Sequence, residues 1–98
     1  MPFAILAIDK PHSGSMRTEN RPTHLQHLDR HAAKLLAGGA VLADDGATPV
    51  GSLIVYDSDD RAEVEAFVAA DPFSKAGLFA TVSIYPWRKV FFDGARSA

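Results

Sequence analysis

The spacing of apolar residues along this chain switches repeatedly between the two-residue period of a strand and the 3.6-residue period of a helix. The order of those switches constrains the fold more than any other feature. Phe3-Ala4-Ile5-Leu6-Ala7-Ile8 is a continuous apolar run closed by Asp9-Lys10-Pro11, which suits a short strand covered on both faces. Residues 11–20 are polar, with Gly14 between two serines, and read as a mobile loop. Asn20 as N-cap and Pro22 in the first turn open a helix with an apolar stripe of Leu25, Leu28, Ala32, Leu35 and Leu36. Gly38-Gly39 ends it in the manner of a C-cap. Residues 40–42 read as a short strand, Asp44-Asp45-Gly46 as a turn and residues 51–56 as a further strand. Ser58, Asp59 and Asp60 offer caps for a second helix that buries Val64, Phe67 and Val68 and stops at Pro72. The last strand, residues 78–85, turns Leu78, Ala80, Val82 and Ile84 one way. Phe79, Thr81, Ser83 and Tyr85 face the other, with Trp87 continuing that set.

The order is β-α-β-β-α-β, an α+β class whose expected form is one antiparallel sheet with both helices on a single face. Helices on one face leave the other bare, and Phe79, Tyr85 and Trp87 are assigned to it. Contiguous apolar surface of that kind marks an interface, so a homodimer through the sheet face is predicted. The competing expectation is that residues 90–93 fold back over the patch.

A length of 98 residues fits one domain, spanning 1–98. With no cysteine, packing alone or packing against a second copy must hold it, and thiolate metal sites and thiol nucleophiles are excluded. A net charge of −2 gives no field to gather phosphates, so no nucleic-acid partner is expected. The apolar opening is far shorter than the roughly 20 residues of a membrane-spanning helix. It also lacks the basic start and cleavage site of a secretory signal, which points to a cytoplasmic protein without a membrane partner.

Three of the four histidines, His24, His27 and His31, lie along one edge of the first helix. Relative to a stripe centred near Leu28 and Ala32, His24 is nearest the core and His27 farthest, so His27 is expected in solvent. Their spacing lacks the glutamate of a zinc-protease helix and has no adjoining carboxylate, so no metal site is expected. An imidazole at the core margin serves as a base only if a partner fixes its tautomer. Asp71 is the candidate partner, being four residues from Phe67 and on the buried period of the second helix. A carboxylate there approaches the core and the negative helix end, so it needs a compensating donor. Asp-Pro-Phe-Ser is equally the pattern of a cap that bonds forward to an amide, and both uses stay open. Arg21, one turn before His24, could hold an anion or form a surface ion pair. Asp9 could cap the turn at Pro11. Ser52 lacks the setting of a nucleophilic serine, and no nucleotide or calcium motif is present.

Arg21-Pro22-Thr23-His24-Leu25 resembles the R-P-x-H-L signature of the YCII-related family. Ala70-Asp71-Pro72-Phe73 and Ala76-Gly77-Leu78 are similar to its A-D-P-[FY]-x-x-A-G-[LV] segment, and Ala7-Ile8-Asp9 and Pro86-Trp87-Arg88-Lys89-Val90-Phe91 match in place and order. The resemblance implies a ferredoxin-like α+β fold that pairs through its sheets as a dimeric α+β barrel. It also implies His24 and Asp71 as active-site residues. One departure is the short connection between the second and third strands, where members often carry a longer Gly-Pro-containing loop; substrate identity therefore does not transfer. One branch of the family is linked to dehydrochlorination of a chlorinated hydroxyquinol, and the fold is shared with muconolactone isomerases.

The enzyme expectation is a lyase or isomerase step, without cofactor, on a small cyclic or aromatic oxygenated metabolite. His24 would move the proton, Asp71 would orient it, Arg21 would steer an anionic group, and Ser52 or Trp87 would line the pocket. The alternative is a non-catalytic protein that binds a metabolite through the same pair. A third reading makes the pair a buried structural contact.

Overall fold

The computed structural model describes residues 1–97. Strand β1 (Phe3–Asp9) runs through the middle of a four-stranded sheet of order β2-β3-β1-β4, every neighbour antiparallel. The other strands are β2 (Leu35–Leu42), β3 (Pro49–Tyr56) and β4 (Phe79–Pro86). Helix α1 (Gly14–Arg30) connects β1 to β2, while α2 (Arg61–Ala70) and the one-turn α3 (Pro72–Lys75) connect β3 to β4. This is the ferredoxin-like βαββαβ order expected from the apolar periods.

One face of the sheet carries the core. Phe3 and Ile5 of β1 and Ile54 and Tyr56 of β3 pack with Val64 and Phe67 of α2, and Leu28, Leu35, Val68 and Ile84 close the margins. The register explains the assignment: Ile5 lies opposite both Ile54 and Ile84, and directly opposed residues share a face. The other face has no helix. Leu6, Leu53 and Tyr85 remain exposed on it, Leu53 by 48% and Tyr85 by 62%.

Several expected boundaries differ. Helix α1 begins at Gly14 rather than after Asn20; the Arg17 N–H bonds to the Ser13 carbonyl at 3.0 Å, so Ser13 opens the helix. Pro22 therefore lies inside it and removes one i→i−4 bond. The helix ends at Arg30, a 3₁₀ turn (Ala32–Lys34) follows, and Leu35 and Leu36 belong to β2. Gly38 and Gly39 are mid-strand residues, not a helix stop. Phe79 is also reassigned. A register shift between Ile8 and Asp9 puts Phe79 opposite Asp9, on the helix-covered side, edge-on to Phe73 at 6.1 Å.

The chain ends in a two-stranded hairpin, β5 (Phe91–Phe92) with β6 (Ala95–Arg96), turned by Asp93 and Gly94, both at positive φ. Its residues are exposed, Phe91 by 60%. It leaves Leu6, Leu53 and Tyr85 uncovered, so the fold-back of residues 90–93 over the sheet is not what the structure shows.

Candidate functional site

The buried stripe of α1 is built from ionisable side chains. Arg17, His24 and His27 are its buried residues, with Asn20, Leu28 and His31 half-buried along the same line. Leu25, by contrast, is exposed. A helix can bury such a stripe only where each polar side chain finds a hydrogen-bond partner, and here Arg17, Asn20, His24, His27 and His31 each have at least one.

His24 is 7% exposed, and its Nδ1 stands 2.8 and 2.9 Å from the two carboxylate oxygens of Asp71. An ionised carboxylate only accepts, so Nδ1 donates to it, and in the neutral imidazole that tautomer leaves the lone pair on Nε2. That nitrogen has no partner among the described residues. The imidazole also stacks on the fully buried Phe73, with ring centroids 3.9 Å apart and planes 14° from parallel, so its orientation is fixed by packing as well.

Asp71 sits between α2 and α3. Its Oδ1 accepts the Phe73 N–H at 2.9 Å, and Pro72 fills the first position of α3. The two alternatives left open by the sequence therefore coexist: the carboxylate caps α3 and holds His24. Its place after α2 is unfavourable for a charge, and the α3 amide together with the imidazole N–H supplies the compensation.

Seven residues before His24, one buried-face repeat away, Arg17 points at the end of β1. Its Nε donates to Asp9 Oδ2 at 2.7 Å and its Nη2 to Asp9 Oδ1 at 3.0 Å. Nη2 also donates to Ser52 Oγ at 3.0 Å. Its guanidinium carbon lies 4.7 Å from the centroid of the Phe73 ring. Asp9 is thus the partner of a buried arginine, not a cap of the Pro11 turn. Ser52 faces the helices because Ala7, directly opposite, does so too. Its hydroxyl accepts from Arg17 and keeps its own hydrogen free to donate.

Arg17, His24 and Ser52 line one cavity of about 250 Å³. Arg17, Arg21, His24, Leu25 and Leu28 of α1 form one wall, Gly38, Gly39 and Ala40 of β2 another, and Ser52 and Ile54 of β3 the floor. Arg21 is exposed at this cavity and forms no ion pair among the described residues. Trp87 is not part of it. It lies beyond β4, its N–H donating to Pro2 O at 2.7 Å, at the opposite end of β1 from Asp9.

His27 is 2% exposed, not in solvent as expected. Its Nε2–H donates to Phe67 O at 2.9 Å and its ring stacks on Phe67, tying α1 to α2. Burial pushes its pKa below 6.5, partly offset by the Phe67 carbonyl and the Asp71 charge. Its hydrogen-bonding partners are internal, so it belongs to the core. Among the described residues, no cluster of metal-ligating side chains occurs, and no helix is long and apolar enough to cross a membrane.

Comparison with known proteins adds the family. The model of the YCII-related domain matches residues 1–88. The chain belongs to the YCII-related family. It is 33% identical to Protein YciI of Escherichia coli O6:H1 across 93% of its own length and all of that protein. A solved structure, 5-chloro-2-hydroxyhydroquinone dehydrochlorinase from Burkholderia phenoliruptrix AC1100 in complex with 2,5-dihydroxybenzoquinone, is 36% identical. It superposes with a TM-score of 0.83 over 90% of this chain and 94% of that one. An antibiotic biosynthesis monooxygenase is 15% identical at a TM-score of 0.53, over 90% and 99% of the two chains, a likeness of fold alone.

One residue of the cavity, Arg17, is not among the candidates the sequence offers. The signal was present: Arg17, His24 and His31 recur every seven residues, the repeat of one helix face. A stripe defined by leucines alone passes over them.

Proposed function

We propose that this YCII-related protein is a small-molecule enzyme of the lyase or isomerase type, acting by proton transfer on a compact oxygenated ring. The observation that carries the reading is the His24 imidazole: Nδ1 is clamped by Asp71, while Nε2 is unpartnered on a residue lining the cavity. A base with a fixed tautomer, beside a cavity that a guanidinium and a serine hydroxyl also line, is the equipment of general-base catalysis.

In the proposed step His24 Nε2 removes a proton from a substrate hydroxyl or an activated carbon. Asp71 stabilises the imidazolium that results. Negative charge grows on a substrate oxygen, and Arg17 with the Ser52 hydroxyl receives it. Asp9 holds the guanidinium in place, and Arg21 attracts an anionic substrate at the mouth. Electrons pushed into the ring either return with a proton elsewhere, an isomerisation, or expel a leaving group as its anion, an elimination. Neither outcome needs an electron acceptor. The related dehydrochlorinase, whose ligand is a dihydroxyquinone, supports a hydroxylated six-membered ring as the substrate class.

We further infer a homodimer formed through the open sheet face, because Leu6, Leu53 and Tyr85 would otherwise stay in water.

The experiment is a turnover screen with chlorinated and unchlorinated hydroxyquinols, read by chloride release and by quinone absorbance, on wild type and His24→Gln. Glutamine keeps some hydrogen bonding but cannot act as the base. Turnover in wild type that is lost in His24→Gln, with 2,5-dihydroxybenzoquinone still bound, supports the enzyme reading. Binding without turnover in either protein gives the site to a metabolite-binding role instead.

A further inference from the structure

We propose that Gly38 sets the width of this cavity and restricts it to flat ligands that lie against the backbone of β2. The proposal rests on reading the cavity as a ligand site. Gly38 is opposite Ile54 in the β2–β3 register, and Ala40 is opposite Ser52, so both lie on the side of the sheet where the cavity is. The same cavity is lined by His24 and Arg17, each only 7% exposed. Each has a nitrogen, Nε2 and Nη1 respectively, without a partner among the described residues.

Nothing in the fold asks for glycine at this position. Its φ is not in the left-handed region, and a Cβ placed there would meet Ile54 Cγ1 at 3.6 Å, an ordinary contact. Gly51, on β3, is a useful contrast: a Cβ there would fall 2.5 Å from Ala7 O, so backbone crowding alone demands it. Glycine inside a strand is unfavourable, for lack of side-chain packing and for the entropy lost on ordering it. Gly38 thus gives up stability at a point where a Cβ would meet only ordinary contacts and project toward Ile54 on the cavity floor. What the missing side chain leaves is space in a volume of about 250 Å³. That is below the usual 300–1,000 Å³ of drug-sized pockets and fits a single ring. A planar ring can slide over a bare strand, whereas one with substituents above its plane would meet Gly38 Cα and the Ile54 side chain.

The test is the graded series Gly38→Ala and Gly38→Val, with three readouts. Thermal unfolding should rise by about 2–8 °C in each variant, since the strand gains a better former without a clash. Binding of 2,5-dihydroxybenzoquinone, followed through the His24 ring nitrogens by NMR, should weaken with side-chain size, by about tenfold or more for valine. Acylation of His24 by diethyl pyrocarbonate, scored by mass spectrometry against the exposed His12 of the same molecule, should slow in the same order. This last ratio needs no cognate ligand. If wild type does not bind the quinone, the proposed substrate class fails while the acylation ratio still decides the role of Gly38. An unchanged acylation ratio in Gly38→Val, or a fall in its unfolding temperature, overturns the proposal.

Discussion

Asp71 joins a structural duty to a chemical one, and substitutions can separate them. Alanine at this position would strand both the Phe73 N–H and the His24 Nδ1–H, and the loss should be about 2–4 kcal/mol in urea unfolding. Asn keeps an acceptor for the Phe73 amide but removes the charge that stabilises an imidazolium. Asp71→Asn should therefore fold with most of its stability while turnover falls about 10²–10⁴-fold; equal losses in both would make the contact structural only. The Arg17–Asp9 pair permits a similar dissection, because both side chains are more than nine-tenths buried. Arg17→Met leaves a buried carboxylate unpaired and should cost about 3–5 kcal/mol. Adding Asp9→Leu should recover most of that stability, measured by the same unfolding, without restoring turnover. At this scale His24, Asp71 and Ser52 were legible in the sequence, though the role of Asp71 was left divided. Arg17 was not, since an arginine in a polar stretch that reads as a loop looks solvated until its partner Asp9, at the end of the preceding strand, is known.

The elements were legible in kind and order but not in their limits. Leu35 and Leu36 fall on the helical period by coincidence of spacing, and pairing of Leu35 with Tyr56 and of Ala37 with Val55 recruits that segment as a strand. The first two turns of α1 have no leucine to announce them, because their inward positions hold the half-buried Met16 and Asn20 and the buried Arg17. The same substitution of polar for apolar packing governs how α1 meets α2. His27 donates to Phe67 O and stacks on that residue, and its burial lowers its pKa. A histidine that binds its proton more weakly in the folded protein favours unfolding once pH drops below its unfolded value of 6.5. Between that value and its lower folded pKa the unfolded chain holds more protons, so stability rises with pH across the window and is fully present above it. Urea unfolding at pH 7.5, 6.0 and 5.0 should show this decline, and His27→Gln should flatten it. A wild-type curve with no slope there would show that protonating His27 does not loosen the two helices.

The whole molecule presents a sheet with one dressed and one bare side, and this imbalance is legible in the sequence. Counting helices in the βαββαβ order is enough, because the two crossovers fall on one face. Identifying which side chains occupy the bare face was harder. Tyr85 was placed correctly, whereas Phe79 was not, since the irregularity after Ile8 reverses the alternation along β4. Leu6 and Leu53, opposite one another across β1 and β3, form the centre of the patch instead. A symmetric dimer would bring this centre against its own copy, as an isologous interface requires. Sedimentation velocity at micromolar concentration should give the mass of two chains, and unfolding temperature should rise with protein concentration. Leu53→Asp places charge at the middle of the patch without disturbing the core, because the residue is 48% exposed in the single chain. It should sediment as a folded monomer and lose the concentration dependence. The cavity lies on the covered side, built within one chain, so such a monomer should keep His24 beside Asp71 and bind 2,5-dihydroxybenzoquinone. A monomer that is folded yet cannot bind would mean that the second copy shapes the site from outside. A variant that remains dimeric would move the interface elsewhere, with the exposed Phe91 hairpin the next surface to substitute.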